Sequence, residues 1–289
     1  MAIPRMTGGP RLNRQEDRCR GGRVCGALAL ILAAIVAVTM LSSCAGSRPA
    51  AAQGSTSSTG AGSSTSTTHH ASSSTTVHPT TSTTQALQRA KVVEHGSTNH
   101  KWIALTFDDN YQEASAYRTL KVLETYHVAA TFFVIGHYVD TGPKLAKAIA
   151  EGGFEVGDHT RSHSDCPTLS KGALRIEIGN GTDHYHALTG APTVPLFRPP
   201  YGDTDQKTEE VAAEKGFRYV VLWDVDTEDW RGRTSSEITH TVLTGAHNGA
   251  IVLMHVAAAH TAEALPGIIE ELRARGYELV TVSKLLGMD

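Results

Sequence analysis

Trp102-Ile103-Ala104-Leu105-Thr106-Phe107-Asp108-Asp109 decides the fold. A short, almost unbroken apolar run of this kind reads as a strand buried on both faces, as in a parallel sheet covered by helices. Two adjacent carboxylates close it. Fifty residues on, a second short strand-like run, Phe154-Glu155-Val156-Gly157, leads into His159-Thr160-Arg161-Ser162-His163. One carboxylate and two imidazoles four positions apart can supply three ligands to one divalent cation, and three protein ligands leave a position open, as catalytic metal sites do. The other aspartate of the pair remains beside the metal as a candidate base.

The same alternation continues outward. Strand-like runs recur at 129–136, 194–198, 219–223, 250–255 and 278–282, and helical patterns at 113–126, 143–151, 171–188, 208–215, 236–245 and 261–275 separate them. Gly179 and Gly181 weaken or break the 171–188 helix. Strand–helix alternation predicts a mainly parallel α/β sheet. Asp108-Asp109, His159, Arg198, the acidic run Asp226 to Asp229 and His255 each follow a strand-like run. In a barrel of parallel strands those ends meet on one face, where active sites form.

Three further segments carry chemistry. Phe197-Arg198-Pro199-Pro200-Tyr201-Gly202 holds an arginine on a proline-stiffened loop, where it can pair with a carboxylate. Trp223-Asp224-Val225-Asp226-Thr227-Glu228-Asp229-Trp230 packs four acids into six positions and needs cations nearby. Ile251-Val252-Leu253-Met254-His255 ends a buried strand in a histidine that an aspartate such as Asp229 can keep protonated as a general acid.

These five segments, in this order, resemble the polysaccharide deacetylases of the NodB-homology type, carbohydrate esterase family 4, over residues 98–286. The resemblance implies a distorted (β/α) barrel of about seven strands and one divalent ion, zinc or otherwise cobalt or another. It implies Asp109, His159 and His163 as metal ligands, Asp108 as catalytic base and Arg198 as its orienting partner. It further implies His255 as acid held by Asp229, the Tyr201 N–H as an oxyanion donor, and Trp230 and Leu253 as walls for the acetyl methyl group. The expected reaction is removal of N-acetyl groups from polysaccharide containing N-acetylglucosamine, with peptidoglycan ahead of chitin-type oligomers. An O-acetyl esterase acting on xylan and a catalytically silent glycan-binding domain are the alternatives. Two positions depart from the family pattern. Asn110 stands where glycine is usual, which leaves the turn intact through a positive φ but can alter substrate access. Asp158 stands where asparagine is frequent, either tuning the metal or bonding a ligand.

The chain has 289 residues and a net charge of −3. Residues 1–90 carry eight Lys and Arg against two Asp and Glu, a balance of +6, and residues 91–289 carry 18 against 27, a balance of −9. An acidic catalytic part argues against a nucleic-acid partner. The basic residues precede an apolar run, Val24 to Leu41, and then Leu41-Ser42-Ser43-Cys44, the order of a secretory signal ending in a lipobox. Residues 1–44 are therefore expected to be a signal segment with Cys44 lipidated, and the length of the basic region puts the expected start at Met6 or later. A single membrane span of about 18 residues and ordinary cleavage are the alternatives. Residues 45–90, rich in Ser and Thr, are expected to be a disordered tether, and residues 91–289 the catalytic domain. The expected location is outside the cytoplasm, on the membrane through the lipid anchor, as a monomer. Cys166 is the one thiol of the catalytic part and reads as a small buried residue.

Overall fold

The computed structural model describes residues 88–111 and 113–288. The expected signal segment, Cys44 and most of the tether lie outside the described residues. Nine strands among the described residues form the sheet: β1 (Lys91–Val93), β2 (Trp102–Asp108), β3 (Thr131–Val134), β4 (Glu155–Asp158), β5 (Leu196–Phe197), β6 (Tyr219–Val221), β7 (Val225–Asp226), β8 (Ile251–His255) and β9 (Glu278–Leu279). Eight follow one another in the order β1-β6-β5-β4-β3-β2-β8-β7, and β9 joins β2. Every pairing is parallel. β1 and β7 end the path, so the curled sheet is an open barrel. β9 occupies the start of β2, at Trp102 and Ile103, on the side that β3 takes from Thr106 onward.

Nine helices accompany the described strands: α1 (Ala114–Thr125), α2 (Gly136–Thr141), α3 (Pro143–Glu151), α4 (Lys171–Glu177), α5 (Asn180–Thr189), α6 (Gln206–Glu214), α7 (Ser235–Gly245), α8 (Thr261–Ala274) and α9 (Val282–Leu285). None of the described helices is long and apolar enough to cross a membrane.

β2 shows why the strands read as continuously apolar. Its alternate residues Ile103, Leu105 and Phe107 pack with α1, α3, α7 and α8 in the outer core. Ala104, in between, packs with Phe133, Leu196, Val221 and Ile251 in the barrel interior. Two-sided burial removes the polar alternation of a half-exposed strand. A third cluster, with Cys166, Phe197, Val211 and Phe217, lies under α4 and α6. Cys166 is fully buried, and burial pushes its thiol up to about 12. It is an inert packing residue.

Two elements differ from the sequence expectation. Gly136 opens α2 instead of ending a strand, and Val282 starts α9 instead of ending one. The 171–188 helix does break: Gly179 adopts φ +89, and α5 restarts at Asn180. Gly181, inside α5, is needed for closeness. A Cβ there would sit 2.1 Å from the Val134 carbonyl and 2.9 Å from Asp158 Oδ1. Gly181→Ala is expected to cost about 1–3 kcal/mol through overpacking, measured as a lower midpoint of chemical unfolding.

Candidate active site

Strand register assembles the site. Asp108 of β2 lies opposite His255 of β8 on one side and Phe133 of β3 on the other. One step along, β4 ends at Asp158, opposite Phe197 of β5, which places His159 and Arg198 together.

Arg198 is fully buried. Its Nη1 donates to Asp108 Oδ1 at 2.6 Å and to Thr106 Oγ1 at 2.8 Å, its Nε to the Val221 carbonyl at 3.1 Å, and its Nη2 to the Leu222 carbonyl at 3.2 Å. The guanidinium lies 4.1 Å from the Phe133 ring centroid. The arrangement fixes Asp108 by one oxygen and leaves Oδ2 facing His159 Nε2, 3.6 Å away.

His159 Nδ1 lies 2.7 Å from the Arg198 carbonyl, which can only accept. Nδ1 therefore carries the proton, and neutral His159 presents the Nε2 lone pair to the carboxylates. Burial holds its pKa below the ordinary value despite Asp108. Asp109 Oδ1 lies 3.8 Å from both His159 Nε2 and His163 Nε2. Burial, with His159 beside it, also lowers the His163 pKa, so these contacts set neutral imidazoles against a carboxylate rather than forming ion pairs.

Asp109 Oδ1 is buried without any hydrogen-bond partner. Burial pushes this carboxyl up to about 6, against the pull of His255 and His163. Asp109 adopts φ 61, His163 φ 60 and Thr160 φ 67, strain that concentrates where function requires a fixed arrangement. One donor atom from each of Asp109, His159 and His163 lies within 4.8 Å of the other two. An unpartnered carboxylate oxygen facing two imidazole nitrogens fits a divalent cation, and the N₂O donor set suits zinc-type ions.

On the other side, Asp229 Oδ1 holds His255 Nδ1 at 2.7 Å, and its Oδ2 accepts from the His255 N–H at 2.9 Å and from Thr261 Oγ1 at 2.6 Å. Burial disfavours the charged ring, but the Asp229 hydrogen bond and the charges of Asp229, Asp108 and Asp109 outweigh it and raise His255 to about 9. The other acids of that run find separate partners. Asp224 pairs with His247, Glu228 with Arg231 and Arg233, and Asp226 accepts the Glu228 N–H.

A cavity of about 350 Å³ opens at Asp109 and His255, bordered also by Tyr111, Glu113, Trp230, Ala257 and Ala258. Tyr201, with φ 63, sets its ring edge-on to His163 at 4.7 Å. Leu253 shares the His255 face of β8, is almost fully buried, and is not among the residues bordering the cavity.

The two departures from the family pattern resolve differently from expectation. Asn110 is fully buried, and its Oδ1 accepts from the Ile135 N–H at 2.9 Å. The positive φ belongs to Asp109 instead. Asn110 ties the end of β2 to the end of β3 and does not face the cavity. Asp158 turns from the metal ligands and accepts N–H bonds from Thr160, Gly179 and Thr182. It anchors the histidine segment to the start of α5, where a carboxylate suits the helix dipole. Burial pushes Asp158 up to about 6 against those hydrogen bonds.

Residues 95–220 match the family model described as polysaccharide deacetylase. The chain is 39% identical over 196 residues to the peptidoglycan-N-acetylglucosamine deacetylase PgdA of Listeria monocytogenes, covering 68% of this chain and 41% of that protein. It is 35% identical over 192 residues to the peptidoglycan-N-acetylglucosamine deacetylase of Bacillus cereus, covering 65% of this chain and 89% of that one. The chain belongs to the polysaccharide deacetylase family. A solved CE4 family pseudoenzyme from Bacillus anthracis superposes with a TM-score of 0.64 at 30% identity, covering 68% of this chain and 69% of that chain. Membership of the polysaccharide deacetylase family therefore leaves activity to the site residues. The chain spans about two-fifths of the length of the Listeria relative.

Proposed function

We propose that this chain is a metal-dependent N-deacetylase of peptidoglycan, acting on its N-acetylglucosamine units from outside the cytoplasm, with the expected lipid at Cys44 as its anchor. One observation carries this reading: the Asp109–His159–His163 cluster, with its unpartnered carboxylate oxygen, faces the Arg198-bound Asp108 and borders one cavity with the Asp229-bound His255. The pseudoenzyme relative makes that completeness informative.

Asp109, His159 and His163 would hold the ion. Bound there, a divalent cation supplies Lewis acidity toward the acetyl carbonyl and a water. Asp108 Oδ2 takes a proton from the attacking water while Arg198 keeps the carboxylate oriented. The water oxygen bonds to the acetyl carbon, and the Tyr201 N–H would stabilise the oxyanion. His255, protonated at neutral pH, gives its proton to the departing nitrogen. The C–N bond breaks, leaving acetate and a free amino sugar.

Three of the five exposed large hydrophobic side chains among the described residues, Tyr111, Tyr201 and Trp230, surround this site. Clustered exposed aromatics suit stacking against sugar rings. Trp230 remains the proposed wall for the acetyl methyl group.

Product analysis by mass spectrometry tests the reading, using zinc-loaded protein on peptidoglycan, chitin oligomers and acetylated xylan. Acetate release with gain of a primary amine on peptidoglycan is expected. Acetate release from xylan alone, without new amine, overturns it in favour of an esterase.

Asp229 gives a pH signature. The His255 value of about 9 lies above the ordinary 6.5. The pair's contribution to folding is thus complete below about pH 6.5 and lost as pH rises through about 9. Asp229→Asn is expected to move the alkaline limb of the rate profile to lower pH, read from acetate release across pH 6–10.

A further inference from the structure

The segment between the two histidine ligands is held by more than the ligands need. Its carbonyls are taken by the start of α2: Gly136 N–H donates to the Thr160 carbonyl at 3.0 Å and His137 N–H to the Arg161 carbonyl at 2.8 Å. Its first N–H, from Thr160, goes to Asp158. The His163 N–H goes to Thr160 Oγ1 at 3.0 Å. The two N–H groups between, from Arg161 and Ser162, both donate to one oxygen, Glu177 Oε2, at 3.0 and 2.9 Å. Glu177 Oε1 accepts from Ser162 Oγ at 2.8 Å.

Glu177 is the last residue of α4. An acid at a helix C-terminus opposes the dipole, so α4 gains nothing from it there. Arg161 and Ser162 themselves are exposed. The segment also carries two non-glycine residues at positive φ, Thr160 and His163, each costing about 1–3 kcal/mol unless the surroundings enforce it. Glu177 is the acceptor that enforces the middle of the turn.

We infer that Glu177 is a positioning residue that sets the affinity of the Asp109–His159–His163 site for its cation, by holding the Arg161–Ser162 main chain and so the placement of His163. This rests on the metal-site reading above. Without the clamp, the free chain visits turns in which His163 is misplaced, and apparent affinity falls with the competent fraction.

The test uses metal-stripped full chain titrated with zinc against a chromophoric chelator. Glu177→Ala is expected to weaken zinc binding about 10–100-fold, with acetate release recovering at saturating zinc. Amide exchange at Arg161 and Ser162 should quicken while that of α8 does not change. Two conservative variants separate clamp from charge. Glu177→Gln keeps the length and one acceptor oxygen but no charge; Glu177→Asp keeps the charge but not the reach. A clamp requires that Gln bind zinc more tightly than Asp. The reverse order, or unchanged affinity in all three variants, overturns the inference. Should Glu177→Ala fail to fold, the Gln and Asp pair decides alone. His163→Ala is the control for the site itself: if it binds zinc like the parent, the metal reading fails; if it loses zinc while the Glu177 variants do not, only the clamp fails.

Discussion

Replacing Asp108 with Asn is expected to lower acetate release by about 10²–10⁴-fold, the usual contribution of a general base. The three proposed ligands stay in place, so zinc content at saturation should match the parent. Asparagine keeps an oxygen for Arg198 Nη1, so the orientation survives in part. What disappears is the negative charge facing a fully buried guanidinium. Breaking a buried pair by removing one partner costs about 3–5 kcal/mol, so the variant should also unfold at lower denaturant. Activity must therefore be compared under conditions where both proteins are folded, checked by circular dichroism. Acetate release equal to the parent would remove Asp108 from the role of base.

His163→Ala is expected to have the largest effect on zinc. Losing a direct ligand should exceed the roughly 10–100-fold loss typical of outer partners, and acetate release at trace zinc should vanish with it. His163 is the cleaner of the two histidines to remove. Its side chain is 27% exposed, against 3% for His159, which also bonds the Arg198 carbonyl. A buried deletion at His159 would mix cavity cost with lost ligation. The thermal shift on adding zinc provides a second readout. At neutral pH the unpartnered Asp109 carboxylate costs the metal-free fold stability. Because its value is raised from 3.8 to about 6, that cost is absent below about pH 3.8 and complete above about pH 6. Zinc should therefore raise the midpoint more at pH 7 than at pH 5, and His163→Ala should lose this difference.

The parallel sheet was legible because burial on both faces removes polar alternation, and β2 shows that pattern plainly. The metal cluster was legible because strand ends in such a sheet meet on one face, so residues 50 positions apart in Asp109 and His159 could be brought together on paper. Local rules failed where tertiary contacts set the backbone. Gly136 follows the apolar run 132–135 and looks like its end, yet it starts α2 because the histidine segment offers carbonyls to its N–H groups. Lys91–Val93 is too short to stand out, and pairing with β6 alone makes it a strand. Asn110 and Asp158 adjoin ligands in sequence, and that adjacency alone suggests groups facing the substrate or the metal. Successive residues leaving a strand point to opposite sides, and both turned inward to backbone N–H groups. Glu177 gave no signal at all. It lies 14 positions from His163 in a helix that looks ordinary, and only the fold reveals what it touches.

The pairing of Asp108 with His255 across β2 and β8 has a practical consequence for redesign. Adjacent strands lie about 4.7–4.9 Å apart, so the spacing of the two proton-handling groups is inherited from the sheet and owes nothing to the exposed side chains of Tyr111, Tyr201 and Trp230. Those side chains can be exchanged to accept a different acetylated sugar while Arg198, Asp229 and the reacting pair keep their places. A library confined to them explores new substrates from a fixed chemical chassis.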